Sequence, residues 1–222
     1  MSILTFLAVG TGLMLITMAI IAQKFQLKPW KWILITLLLT ASGVAGVKLM
    51  AFIESGSFNG YSFFGAIFFT PFIMLLIALL LKVPLRDMLD MIAPCECAML
   101  VAMKINCYIS GCCYGRHIGI DQYGAYIRFP SQIVEGVNAL LICVFLIYLI
   151  KNNRIKGKLF FLYMIVYGVS RFLLNLFRDT EAFIWILPAG NFWALLSVLL
   201  GSVFYFFLKT GTRQINGVQK GN

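Results

Sequence analysis

Seven apolar runs of near twenty residues divide this chain, and charge rarely interrupts them. Leu34 to Ala51 carries Lys48 alone, and Ile133 to Ile150 carries only Glu135. In hydrocarbon the backbone must satisfy its own hydrogen bonds, so only helices and closed barrels cross a bilayer. Barrel strands alternate in polarity over about ten residues. Unbroken runs of about twenty suit a helix spanning ~30 Å. Charged residues are 12% of the 222 and hydrophobic residues 61%, whereas a soluble domain carries roughly 25% charged residues. The sequence predicts an all-α integral membrane protein with about seven transmembrane helices.

Hydropathy sets the spans near 2–22, 33–52, 62–82, 88–106, 132–150, 158–177 and 188–208. The first has no basic residue before Lys24 and is long enough to cross, so it reads as a helix rather than a cleaved signal. Pro71 should kink the third. The fourth holds Asp90, Glu96 and Lys104 and is the least apolar, which predicts a tilted helix or one packed wholly inside the bundle. One membrane domain over 1–209 and a short polar cytoplasmic tail over 210–222 are expected.

The net charge of +10 comes from bases scattered among apolar runs. That suits topology and phospholipid contact rather than nucleic acid. Lys24, Lys28, Lys31, Lys82, Arg86, Lys151, Arg154, Lys156, Lys158, Lys209, Arg213 and Lys220 all follow odd-numbered spans. The positive-inside rule puts those ends in the cytoplasm, with the N-terminus outside and the C-terminus inside. Lys48, Lys104, Arg116, Arg128, Arg171 and Arg178 then lie toward the outer side. Lys48 is expected to snorkel outward. The others gather at 104–128 and 171–178, and charge kept where topology disfavours it marks a functional site.

The first stretch runs from Lys104 through Asn106, Cys107, Gly111, Cys112, Cys113 and Gly115 to Arg116 and His117, opening the longest polar loop, about 107–131. Gly111 and Gly115 permit tight turns, and Lys104, Arg116 and Arg128 suit a phosphate or carboxylate. In the second, Arg171, Asn175 and Arg178 stand at i, i+4 and i+7 and so share a helical face. Arginine forks suit a lipid phosphate; an intramembrane ion pair of Arg171 with Glu135 or Glu96 is the competing reading. Pro130-Ser131-Gln132 reads as a helix start, with Gln132 and Glu135 able to line the same cavity.

Six cysteines complete the inventory. Cys143 reads as packing or lipid-facing, and Cys95 and Cys97 sit on the fourth span. Cys107, Cys112 and Cys113 admit packing, a disulfide, a reactive thiol or a metal. With His117 their spacing matches no recognised zinc pattern, so no metal or cofactor is assigned. His117 is expected to be exposed.

Five elements in order resemble the prolipoprotein diacylglyceryl transferase family over roughly residues 60–208. Asp90-Met-Ile-Ala-Pro94 resembles its D-x-I-A-P run. Lys104 to Arg116 is similar to its G-R-x-G-N-x-x-N-G-x-x-x-G-R signature at Gly111, Gly115 and Arg116. Pro130-Ser131-Gln132 with Glu135 resembles H-P-[ST]-Q-L-Y-E, Arg171 to Arg178 resembles R-x-x-x-E-x-x-R, and Gly65 falls at its H-G-G motif. The resemblance implies seven helices with the N-terminus outside. It also implies transfer of the diacylglyceryl group of phosphatidylglycerol to the lipobox cysteine of a prolipoprotein, a thioether forming as glycerol phosphate leaves. Phospholipid and prolipoprotein signal peptides would be the partners, in the bacterial plasma membrane with the polar site toward the extracytoplasmic side. Arg171 would bind phosphate, supported by Arg178 and Asn175.

This chain departs from the family pattern at several points. The base histidine falls on Phe64, the signature arginine on Lys104 and its asparagine on Cys107. Cys112 takes a polar position, Asn175 replaces a glutamate, and Phe129 replaces the histidine before Pro130. A second base would be His117 or a thiol such as Cys112. The site expected from these residues comprises Lys104, Arg171, Cys112 and His117 as catalytic groups. Arg116, Gln132, Glu135, Asn175, Arg178, Gly111 and Gly115 would bind substrate. A thiol-redox or metal-handling protein and a noncatalytic phospholipid binder are the rival functions.

Overall fold

A computed structural model describes residues 3–120, 123–124, 126–178, 183–184 and 186–208. The expected tail over 210–222, Lys209 and Asp179 lie outside the described residues. Seven α-helices run among the described residues: α1 (Ile3–Ala22), α2 (Pro29–Ser55), α3 (Phe64–Leu81), α4 (Leu85–Ile109), α5 (Ser131–Lys151), α6 (Leu159–Asn175) and α7 (Ala189–Phe207). Two short antiparallel pairs decorate the loops, β1 (His117–Ile120) with β2 (Tyr126–Arg128) and β3 (Phe183–Ile184) with β4 (Leu187–Pro188). The long polar loop therefore contains a hairpin that hydropathy does not reveal.

Five helices, α1, α2, α3, α5 and α7, are long and apolar enough to cross a membrane. The chain is a membrane protein. Its outward faces are apolar at positions such as Phe72, Leu76, Leu80, Leu141 and Val144, all exposed, far more than a water-soluble surface tolerates contiguously. The two remaining helices fall short for different reasons. α6 has only 17 residues, and α4 carries Arg86, Asp87, Asp90, Glu96 and Lys104.

Burial explains how α4 survives its charge. It packs against α1, α3, α5 and α6, and Asp90, Glu96 and Lys104 are all buried along it. A helix whose polar groups face protein need not expose them to lipid. α4 is the axle of the bundle. At the end near Lys31, whose ammonium donates to the Leu81 carbonyl at 2.8 Å, Asp90 crosses to the start of α6. Its carboxylate accepts the Gly157 and Leu159 backbone N–H groups at 2.6 and 2.9 Å. Those orphan donors would otherwise be unsatisfied, because Lys158 provides no cap of its own.

α2 and α3 meet through glycine. A Cβ on Gly65 would run into the Gly46 carbonyl, and one on Gly46 into the Gly65 carbonyl. Small residues permit this backbone approach between helices in lipid. It also seats Phe64 at the head of α3 beside Tyr167 of α6, with ring centroids 5.9 Å apart.

Candidate functional site

Glu135 stands one turn into α5, and three cations converge on its carboxylate. Lys104 reaches it from the last third of α4 and Arg171 from the end of α6. The Arg178 guanidinium approaches to 3.5 Å. The side chains are 6% exposed for Lys104 and Glu135, 12% for Arg171 and 22% for Arg178. Three positive charges in contact with one negative leave two unmatched. Glu54, which accepts a 2.7 Å hydrogen bond from Ser62, reaches Arg171 electrostatically but does not join the contact. Of the two acids expected as partners for Arg171, Glu135 is the one it meets.

Arg178 arrives by an unexpected route. The helical stripe through Arg171, Asn175 and Arg178 stops at Asn175, where α6 ends. The chain then turns, with the Arg178 N–H bonded to the Asn175 carbonyl at 3.2 Å. Asn175 does not face the cations. It is buried and donates to the Asn191 side chain at 2.6 Å, against Gly190 of α7. This amide donor ties α6 to α7, while the Asn175 carbonyl oxygen has no partner.

The loop after α4 is clamped onto this cluster. Gly111 adopts φ +64°, and the Cys112 N–H bonds back to the Cys107 carbonyl at 3.1 Å. Gln132 donates to the Cys112 carbonyl and Ser131 to the Cys113 carbonyl, each at 2.5 Å. Gln132 thus holds backbone, with its own carbonyl oxygen unpartnered. Gly115 exchanges backbone contacts with Phe129 and Arg178, and a Cβ there would fall 2.6–2.8 Å from Phe177 and Phe129 atoms. Arg116 spends its guanidinium on the Arg178 carbonyl at 3.2 Å and its N–H on Phe177. Arg116 and Gly115 therefore fasten the loop to the end of α6.

The three loop-side thiols sit beside the cations. Cys107, Cys112 and Cys113 bring their sulfurs within 4.8 Å of one another, and all three are free. A hydrogen bond from Cys107, aided by the charges of Arg178 and Lys104, holds the Cys113 thiol well below the usual range, at about 5. His117 stands apart on β1. Its exposed ring meets Tyr126 edge-on with centroids 4.9 Å apart, and no hydrogen bond or ion pair joins it to Glu135 among the described residues. His117 pairs with Arg128 across the hairpin and does not join the Glu135 contacts.

Lys48 donates to the Phe58 and Gly60 carbonyls at 2.8 and 3.4 Å and lies over the Tyr61 ring. Cys143 is packing, its thiol 3.4 Å from the Pro94 carbonyl. A cavity of about 200 Å³ opens between α1, α2, α3 and α4, lined by Leu39, Val44, Phe63, Met99 and Met103. Its walls suit an acyl chain. Sequence reasoning missed Glu54, Tyr167 and the loop-clamping role of Ser131; an acid at the end of an apolar run is the one signal that marks Glu54.

The family model for prolipoprotein diacylglyceryl transferase matches residues 2–207. The chain belongs to the prolipoprotein diacylglyceryl transferase family. Among its relatives is a phosphatidylglycerol–prolipoprotein diacylglyceryl transferase of Clostridium tetani, 26% identical over 159 residues, covering 67% of this chain and 64% of that protein. A second, from Clostridium perfringens, is 25% identical over 206 residues, covering 82% and 80%. A third, from Agrobacterium fabrum, is 30% identical over 157 residues, covering 66% and 55%. The chain thus spans just under two thirds of the C. tetani relative's length. Within this transferase family, the position expected to hold histidine is the buried Phe64, stacked among Phe68 and Tyr167.

Proposed function

We propose that this chain moves the diacylglyceryl group of phosphatidylglycerol, or a similar anionic phospholipid, onto a thiol, typically the lipobox cysteine of a prolipoprotein. The observation that carries this reading is the cation hub, in which Lys104, Arg171 and Arg178 share the single contacting carboxylate of Glu135. Buried charge without a partner is costly, and a lipid phosphate is the anion a membrane offers. The apolar cavity and the names of the relatives support the same substrate.

In the reaction, the acceptor sulfur attacks the glyceryl carbon that bears the phosphate. A C–S bond forms, the C–O bond breaks, and its electron pair leaves on glycerol phosphate. Arg171 and Lys104 hold the phosphate oxygens as charge accumulates there, the role that preorganised cations serve in transfer reactions. Arg178 completes the set, and Gln132, Gly111, Gly115 and Arg116 hold the loop that walls it. With Phe64 where a base is expected, the acceptor enters as thiolate formed in water. The site faces the extracytoplasmic side of the bacterial plasma membrane, with the N-terminus outside and residues 210–222 a cytoplasmic tail. The distribution of Lys and Arg supports that orientation.

Incubation of the purified chain in phosphatidylglycerol vesicles with a lipobox peptide tests the proposal. Mass spectrometry should record a peptide gain of one diacylglyceryl group, absent with Arg171→Ala. No gain from the intact wild-type protein would leave a phospholipid-binding relative without transfer.

A further inference from the structure

Three thiols are more than a disulfide uses. Cys107 lies in the last turn of α4, while Cys112 and Cys113 return to it around Gly111. Cys113 itself adopts φ +61°, a left-handed conformation uncommon for a residue other than glycine. Such conformations persist where surrounding structure enforces them, and they gather at functional sites. Here the enforcement is visible. Ser131 and Gln132 at the head of α5 hold the Cys113 and Cys112 carbonyls, so both cysteines are fixed from the far side of the loop. Their sulfurs turn toward Cys107, all within 4.8 Å.

We propose that Cys107, Cys112 and Cys113 form a three-thiolate site for monovalent copper at the mouth of the cation hub. Metal–thiolate bonds of about 2.3 Å arranged as a triangle put the sulfurs roughly 4 Å apart by the same length. The triad therefore needs at most a contraction of under about 1 Å. Thiolates select soft cations. Zinc prefers four ligands in a tetrahedron, and no fourth metal-binding side chain joins this group among the described residues. His117, the nearest in sequence, is turned toward Tyr126.

Charge selects between oxidation states as well. Three thiolates around a monovalent ion carry a net charge of two negative, by simple addition, and the hub beside them has two positive charges unmatched in contact. The complex therefore forms where its charge is compensated. Binding forms three copper–sulfur bonds, and each sulfur that still carries a proton gives it up to solvent. No electron is transferred, because copper enters as Cu(I). The site does not rest on the transfer reaction, and it stands or falls separately from it.

The test is an anaerobic titration of the full chain in detergent, fully reduced, with Cu(I) held by a chromophoric chelator. One copper per chain should be withdrawn, and Cys107→Ser, Cys112→Ser and Cys113→Ser should each weaken binding by at least ~100-fold, the scale on which metal sites respond to lost support. X-ray absorption of the wild-type complex, which needs no variant, should find three sulfur neighbours at about 2.3 Å. Two sulfur neighbours, equal copper uptake by the triple serine variant, preference for zinc over Cu(I), or no uptake at all would each overturn the proposal.

Discussion

Glu135 is a single side chain whose loss acts on three others. Glu135→Gln leaves Lys104, Arg171 and Arg178 crowded without a counter-charge, and stranding buried charge costs about 3–5 kcal/mol. Thermal unfolding in detergent should show that loss. The double change Lys104→Met with Glu135→Leu should recover only a small part of it, since Arg171 and Arg178 still lack their carboxylate. Phe64 invites the opposite experiment. Without a base, the rate of peptide lipidation follows the acceptor's thiolate fraction, rising about tenfold per pH unit below about 8.5. Phe64→His should flatten that slope and raise the rate at pH 7 by up to ~30-fold, the ceiling set by the thiolate fraction of a thiol with pKa about 8.5. An unchanged slope would show that the histidine position does not serve the thiol.

At the level of elements, the helices are legible because a bilayer leaves one strong signal, an apolar run of fixed length. α1, α5, α6 and α7 begin and end close to their hydropathy bounds. α2 starts earlier, at Pro29, whose ring suits the first helical turn. α4 is longer than its apolar run at both ends, by exposed residues such as Arg86 and Tyr108, while Asp90, Glu96 and Lys104 between them are buried. Half of the site was legible by the same logic. Lys104, Arg171 and Arg178 stand out as charges at depth, whereas the turn that swings Arg178 back, the pairing of Asn175 with Asn191 and the clamp on the cysteine loop are long-range contacts that no local pattern encodes. The cap on α6 is another such contact. Asp90→Ala frees the Gly157 and Leu159 donors and should destabilise the protein by about 1–2 kcal/mol, in the range of a lost helix cap. Unfolding by denaturing detergent reads this, with Asp90→Asn intermediate because one acceptor oxygen remains.

For the whole molecule, the surplus charge of the hub predicts a preference for anionic membranes. Binding to vesicles containing phosphatidylglycerol should exceed binding to neutral phosphatidylcholine vesicles, and Arg171→Ala should reduce the difference while leaving insertion intact. Measurement of bound lipid after detergent extraction checks this. Orientation has its own assay. Cys112 is exposed and Cys107 and Cys113 are partly so, so a membrane-impermeant maleimide should label this group in intact cells, and changing all three to serine should remove that label. Labelling that requires permeabilised cells would reverse the proposed topology.

Glu135 on α5 takes Lys104 from α4 and Arg171 from α6 at once, so one carboxylate splices three helices at a single point. Under the proposed transfer, a phosphate would meet cations already fixed in place and still carrying charge to spare. The fold then holds the tools of the reaction in position whether or not a lipid is present.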